Sequence, residues 1–231
     1  QESLGKRING ETDGAYFARG TGAADDPYVI NRPFHLYNLA WLQYTGYFGD
    51  NECYFIIEKD LDMTGWTLPP IGTTDHPFIG HVNGYDTTHG QGQDHAAVIS
   101  NLTVSNEFSD YNRHPGAITS VSNVNIIGFF GVVGKIGQDY SSSASSTVPS
   151  VKNLYLNNVA VNDKTSSTLI GIAAGYVNGV VEGVGITGDS SLSVPSGGAT
   201  AFGTYTKNIS DYTSVGFCEK AFRSSLFNKE I

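Results

Sequence analysis

The stretch Ile99-Ser-Asn-Leu-Thr-Val104 reads as a short strand with alternating apolar side chains. Its template is β-branched, any, Asn or Gly, aliphatic, any, aliphatic. That template returns in Val121-Ser-Asn-Val-Asn-Ile126, Val151-Lys-Asn-Leu-Tyr-Leu156 and Val181-Glu-Gly-Val-Gly-Ile186, with starts 22, 30 and 30 residues apart. A six-residue strand cannot cover its own apolar face, so a chain that rewrites it is read as stacking the copies. On this reading Ile99, Leu102, Val104, Val151, Leu154, Leu156, Val181, Val184 and Ile186 point into one core. Ile99 then stacks with Val151, Leu102 with Leu154 and Val104 with Leu156. Asn101, Asn123 and Asn153 stack at a corner, where Asn and Gly alternate because both accept a left-handed backbone.

Working outward, a second piece recurs. Gly128–Gly134 (GFFGVVG) and Gly171–Gly179 (GIAAGYVNG) set bulky apolar residues between glycines, and Ala201–Thr206 (AFGTYT) is a weaker copy. From Ile99 onward the pattern is short strands without crossover helices, which predicts an all-β solenoid, a parallel β-helix. One helix is predicted, Phe34–Tyr44, from Phe34, Leu36, Leu39, Ala40 and Leu42, stopped by Gly46. It is expected to cap the N-terminal end with Phe34, Leu39 and Leu42. Residues 1–19 read as an irregular lead-in and 20–231 as one domain. Within 217–231, Phe217, Phe222, Leu226 and Phe227 are too apolar for a free tail, and predict a C-terminal cap or a partner contact.

Composition excludes several functions. Of 231 residues, 15% are charged, against about 25% in ordinary globular chains. Hydroxyls, amides and glycines replace Lys and Glu, as in extracellular sheet proteins. The formal net charge is −9 and no Lys/Arg cluster exists, which argues against nucleic acid and anionic membranes as partners. No apolar run approaches the roughly 20 residues that span a bilayer. The chain begins at Gln1, which is consistent with a removed leader or with a fragment. Cys53 and Cys218 are either a disulfide or two separate buried thiols.

Candidate chemistry is sparse. Asp60 and Asp62 alternate and so project from one strand face; with Asp25 or Asp26 they could hold Ca²⁺. Paired carboxylates also serve glycoside hydrolysis, while the plainer reading has both accepting backbone hydrogen bonds at a turn. His81, His89 and His95 lie in or near the DTTHGQGQDHAA stretch, and a loop with His89, Asp94 and His95 could bind a transition metal. No nucleophile elbow, phosphate loop, dinucleotide fingerprint or metalloprotease helix is present, so no catalytic or cofactor-binding residue is assigned. The glycine spacing of GFFGVVG encloses bulky apolar residues and reads as a packed strand. Aromatic residues, 12% of the chain, suit either packing or stacking on sugar rings.

Several motifs in order carry a family resemblance. GTGAADDPYVI (Gly20–Ile30) precedes the helix and YFIIEKDLDMTGWTLPPIG (Tyr54–Gly72) follows it. PFIGHVNGYD (Pro77–Asp86), AVISNLTV (Ala97–Val104), IIGFFGVVG and VKNLYLNNVAV come next. Over Gly20–Gly188 this resembles secreted bacterial β-helix modules with GLUG-type repeats. The departures are the DTTHGQGQDHAA insertion and a degenerate end after Gly188. The resemblance implies a right-handed parallel β-helix, an extracellular or cell-surface location, and no enzymatic activity. It implies an adhesin-like structural module that binds a host or cell-surface ligand, or acts as a stalk. Its partners would be other protein domains or subunits and surface glycans. Two alternatives are a virion tail-fibre or capsid-decorating protein, and a polysaccharide-degrading enzyme. The last needs clustered Asp, Lys or Arg, which 13 scattered Lys and Arg do not supply.

Overall fold

The computed structural model describes residues 16–84, 96–109, 120–121, 124–143, 147–165, 167, 169–193 and 204–205. Its largest sheet has seven strands: β1 (Tyr28–Ile30), β2 (Tyr54–Ile57), β3 (Leu61–Asp62), β5 (His81–Asn83), β6 (Ala97–Ser100), β12 (Ser150–Asn157) and β16 (Val180–Thr187). All its pairings are parallel. β12 organises it. Its first three residues pair with β5 and its last four with β6, while β16 runs along its other edge. Only Asn153 separates the partners of Asn83 and Ala97, so β5 and β6 follow one another along the same edge of β12. The Ala97 N–H donates to Gly84 O at 3.0 Å and ties the start of β6 to the end of β5.

A four-stranded parallel sheet joins β4 (Thr67–Leu68), β7 (Thr103–Ser105), β13 (Ala160–Asn162) and β17 (Ser191–Ser193). A three-stranded one joins β11 (Phe130–Val133), β15 (Ala174–Val177) and β18 (Thr204–Tyr205). The glycine-flanked pieces are thus neighbours in space, the weak third copy included, and β11 is a buried strand throughout. β10 (Ile126–Ile127) pairs with β14 (Leu169–Ile170), and β8 (Phe108–Ser109) with β9 (Ser120–Val121), the latter antiparallel.

The helix α1 (Pro33–Tyr44) starts on a proline at its first turn, where the missing N–H costs nothing. It ends at Gly46, whose φ of 77° lets Tyr47 N–H reach Leu42 O (3.0 Å) and Gly46 N–H reach Gln43 O (3.2 Å). All nine residues from His35 to Gln43 are buried. Leu36, Tyr37, Leu39, Ala40, Trp41 and Leu42 leave no polar face, and a helix apolar on every side belongs inside. It packs against β1 and β4, and the buried amides of Asn38 and Gln43 donate to Tyr16 O and His76 O.

Two expectations are therefore corrected. The all-β, right-handed parallel β-helix with an N-terminal capping helix is not what the strands form. They divide among several separate, mostly parallel sheets, and the one helix among the described residues is short and buried beside β1 and β4, an α/β-like arrangement. The strand register also differs. Val151–Leu156 does lie against Val181–Ile186, but Ile99 meets Leu156 and Val104 meets Val161. The partner of ISNLTV is Leu156-Asn-Asn-Val-Ala-Val161, five residues further on. Val121 and Ile126 lie outside the main sheet altogether.

What the alternation predicts is present. All nine named aliphatic residues are buried in one core cluster. Asn101 and Asn153 have φ of 62° and 59°, and Gly183, beside Asn153, has 64°. Asn153 donates to Asn83 Oδ1 at 2.8 Å. Asn123, Cys218 and the four apolar residues of 217–231 lie outside the described residues.

Candidate functional site

The outward face of the main sheet carries the site. Phe55, Val82, Val151 and Val181 point into the core, so the alternation turns their predecessors Tyr54, His81, Ser150 and Val180 outward. Register puts these four in one row: Tyr54 beside His81, His81 beside Ser150, Ser150 beside Val180. Two residues along the strands, Ile56, Asn83, Lys152 and Glu182 make a second row. The first row and, from the second, Ile56, Asn83 and Lys152 border a groove of about 470 Å³ together with Ala24 and Pro27.

Close backbone approach makes the first row possible. A Cβ at Gly80 would lie 2.4 Å from Cys53 O, so only glycine lets β5 come this near to β2. The His81 N–H then donates to Cys53 O (2.9 Å), and the Ser150 N–H to Gly80 O (3.1 Å).

His81 is held on three sides. Its ring stacks on Tyr54 with centroids 4.3 Å apart and planes 18° from parallel. Nδ1 lies 2.7 Å from Ser150 Oγ, and Nε2 is hydrogen-bonded to the Glu52 carboxylate. A carboxylate only accepts, so Nε2 carries a proton, and in the neutral ring Nδ1 then accepts from the Ser150 hydroxyl. His81 and Ser150 are each 8% exposed, whereas the Glu52 side chain keeps 32% of its surface in contact with solvent. Burial, and then the nearby Glu52 charge, push the Tyr54 hydroxyl above its ordinary range. Lys152 Nζ stands 3.5 Å from Glu182 in an exposed pair, which holds it only loosely.

The sequence candidates fall elsewhere. Asp60 accepts the Val98 N–H (2.8 Å). Asp62 accepts from Thr64 Oγ1 (2.6 Å), Thr64 N–H (3.1 Å) and Asn101 Nδ2 (3.0 Å). Those bonds, the Thr64 hydroxyl first, hold the Asp62 carboxyl below the usual carboxylate range. Asp62 thus holds its own turn and Asp60 the backbone of β6, while Asp26 belongs to a separate tight loop closed by Ala23 O. Among the described residues no three His, Cys, Asp or Glu side chains gather as a metal site. His81 sits on β5, in the stretch expected to carry a strand, and His89, Asp94 and His95 lie outside the described residues. Sequence reading missed Glu52 and Ser150, which are 29 and 69 residues from His81. The pairing of β5 with β12 brings Ser150 to His81, and the pairing of β5 with β2 brings Glu52.

No family model and no solved structure matches this chain. It is similar to a protein of Evansella cellulosilytica that is a Gly-rich membrane protein by name only, 27% identical over 183 residues. The match takes in 77% of this chain but spans only 16% of that protein's length. Among the described residues no helix is long and apolar enough to cross a membrane.

Proposed function

We propose that this chain is a ligand-binding module of a larger bacterial cell-surface protein, and that the groove over His81 takes the ligand. The groove carries the reading: it is concave, walled by Pro27, Tyr54, Ile56 and Val180, and has a few polar groups converging on its floor. Amide, hydroxyl and imidazole groups beside an aromatic ring suit a neutral, hydroxyl-rich molecule such as a surface glycan. The low charged fraction and net charge of −9 fit an exposed, non-cationic surface. The alignment of this chain with 16% of a much longer protein named for a membrane supports a module within a larger envelope protein.

The test is a glycan array probed with the purified chain, followed by calorimetry on the hits. Saturable binding to a neutral oligosaccharide is expected, weakened at least about tenfold by Asn83→Ala with the fold intact. Binding that ignores Asn83→Ala and Ile56→Asp, or no binding to any glycan, overturns the proposal.

A further inference from the structure

We propose that Ser150, His81 and Glu52 act together as a nucleophile, a base and its orienting carboxylate, and that the groove hydrolyses carboxylic esters. The inference deepens the ligand-groove reading and rests on it. The three residues come from three separate parts of the chain and meet on one imidazole, with both ring nitrogens engaged. The order Ser Oγ, imidazole, carboxylate is the one that activates a serine, whichever fold supplies it. Both Ser150 and His81 line the groove, so the hydroxyl faces a space that a substrate can enter.

The chemistry balances without a further reagent. Ser150 Oγ attacks the ester carbonyl carbon as its proton passes to Nδ1 of His81. Glu52, on Nε2–H, fixes the tautomer that can accept it and stabilises the imidazolium. The tetrahedral oxyanion collapses, the carbon–oxygen bond to the alcohol breaks, and the proton on Nδ1 goes to the departing alkoxide. Water then attacks the acyl-serine, gives its proton to Nδ1, and releases the carboxylic acid as Ser150 Oγ regains a proton.

The geometry also selects the substrate class. The Ser150 backbone N–H is committed to Gly80 O at 3.1 Å, so it does not serve as an oxyanion donor. The oxyanion must rely on side chains of the second row, Lys152 above all, whose exposed pair with Glu182 is readily exchanged. Such a site suits esters, whose alkoxides leave more easily than amines, and Ile56 and Val180 offer apolar wall for a short acyl group.

The test treats the full chain with a fluorophosphonate probe, maps the adduct by peptide mass spectrometry, and follows p-nitrophenyl acetate hydrolysis. The expected result is one adduct on Ser150, absent in Ser150→Ala and slowed at least about 100-fold in His81→Asn. Glu52→Gln, altering a partly exposed positioning residue, should slow labelling about tenfold or more and move its pH profile to lower pH at unchanged melting temperature. No adduct on the folded wild-type chain, or equal labelling of wild type and His81→Asn, overturns the proposal. Glycan binding without labelling discards the relay and keeps the groove as a ligand site. Labelling without glycan binding supports the relay and discards the glycan.

Discussion

Leu154 is the sharpest probe of how the main sheet is built. Its side chain is 1% exposed, in register with Ala97 on one side and Val184 on the other. Leu154→Ala removes buried hydrocarbon and leaves a hole, for which measured costs run from about 2.7 to 5.0 kcal/mol according to how well the site collapses. Here collapse is hindered. A void of about 10 Å³ already lies among Leu154, Phe129, Phe130 and Val184, held open by strands locked in register. The upper half of the range follows, about 4 kcal/mol. At about 2–4 °C per kcal/mol for a chain of this size, melting should fall by about 8–16 °C. Lys152→Ala, two residues away on the outward face, should change stability by less than about 0.5 kcal/mol. Differential scanning calorimetry of both variants checks this. A loss below about 1 kcal/mol for Leu154→Ala, or equal losses for the two, would refute the inward-facing assignment.

Asn153→Ala should be less stable than Asn153→Gly by about 1 kcal/mol in urea melts, because only alanine pays for the left-handed backbone; the reverse order would contradict the corner assignment. Asp62, whose carboxyl is held below its ordinary value of 3.8, contributes stability that is present above that value and lost as pH falls through the lower folded one. Thermal melts from pH 5 downward should therefore drop below about pH 4, and Asp62→Asn should flatten that drop. Burial raises the Cys53 thiol, so maleimide labelling mapped to Cys53 at neutral pH should run slower than on an unfolded control; equal rates would show an open thiol.

How much of this was legible in the sequence depends on the distance over which each signal acts. Alternation is local, and it places Leu154, Val184 and their fellows inward without any knowledge of neighbours. The left-handed asparagines are equally local, since Asn and Gly share a conformational allowance that other residues lack. Register is not local. Leu156-Asn-Asn-Val-Ala-Val161 fits the strand template nearly as well as Val151–Leu156, and the competition is settled by packing. The fold class depends on that packing too, which is why the expected β-helix gives way to several separate sheets with a short buried helix beside β1 and β4. The helix was half legible: its span follows from apolar spacing, but Tyr37 and Trp41 complete an apolar surface that an amphipathic cap would not have. Ser150 and Glu52 carry no motif. Their meeting with His81 exists only after β2, β5 and β12 have paired.

His81 held between Ser150 and Glu52 is the centre of the site, and nitrogen-15 NMR of the histidine rings measures that directly. At about pH 9, where an ordinary imidazole is neutral, the two ring nitrogens of His81 should report a single tautomer, protonated at Nε2 and accepting at Nδ1. Ser150→Ala should shift the Nδ1 resonance, and Glu52→Gln should speed exchange of the Nε2 proton. An Nδ1-protonated ring, or fast averaging between both tautomers in the wild-type chain, would contradict the account.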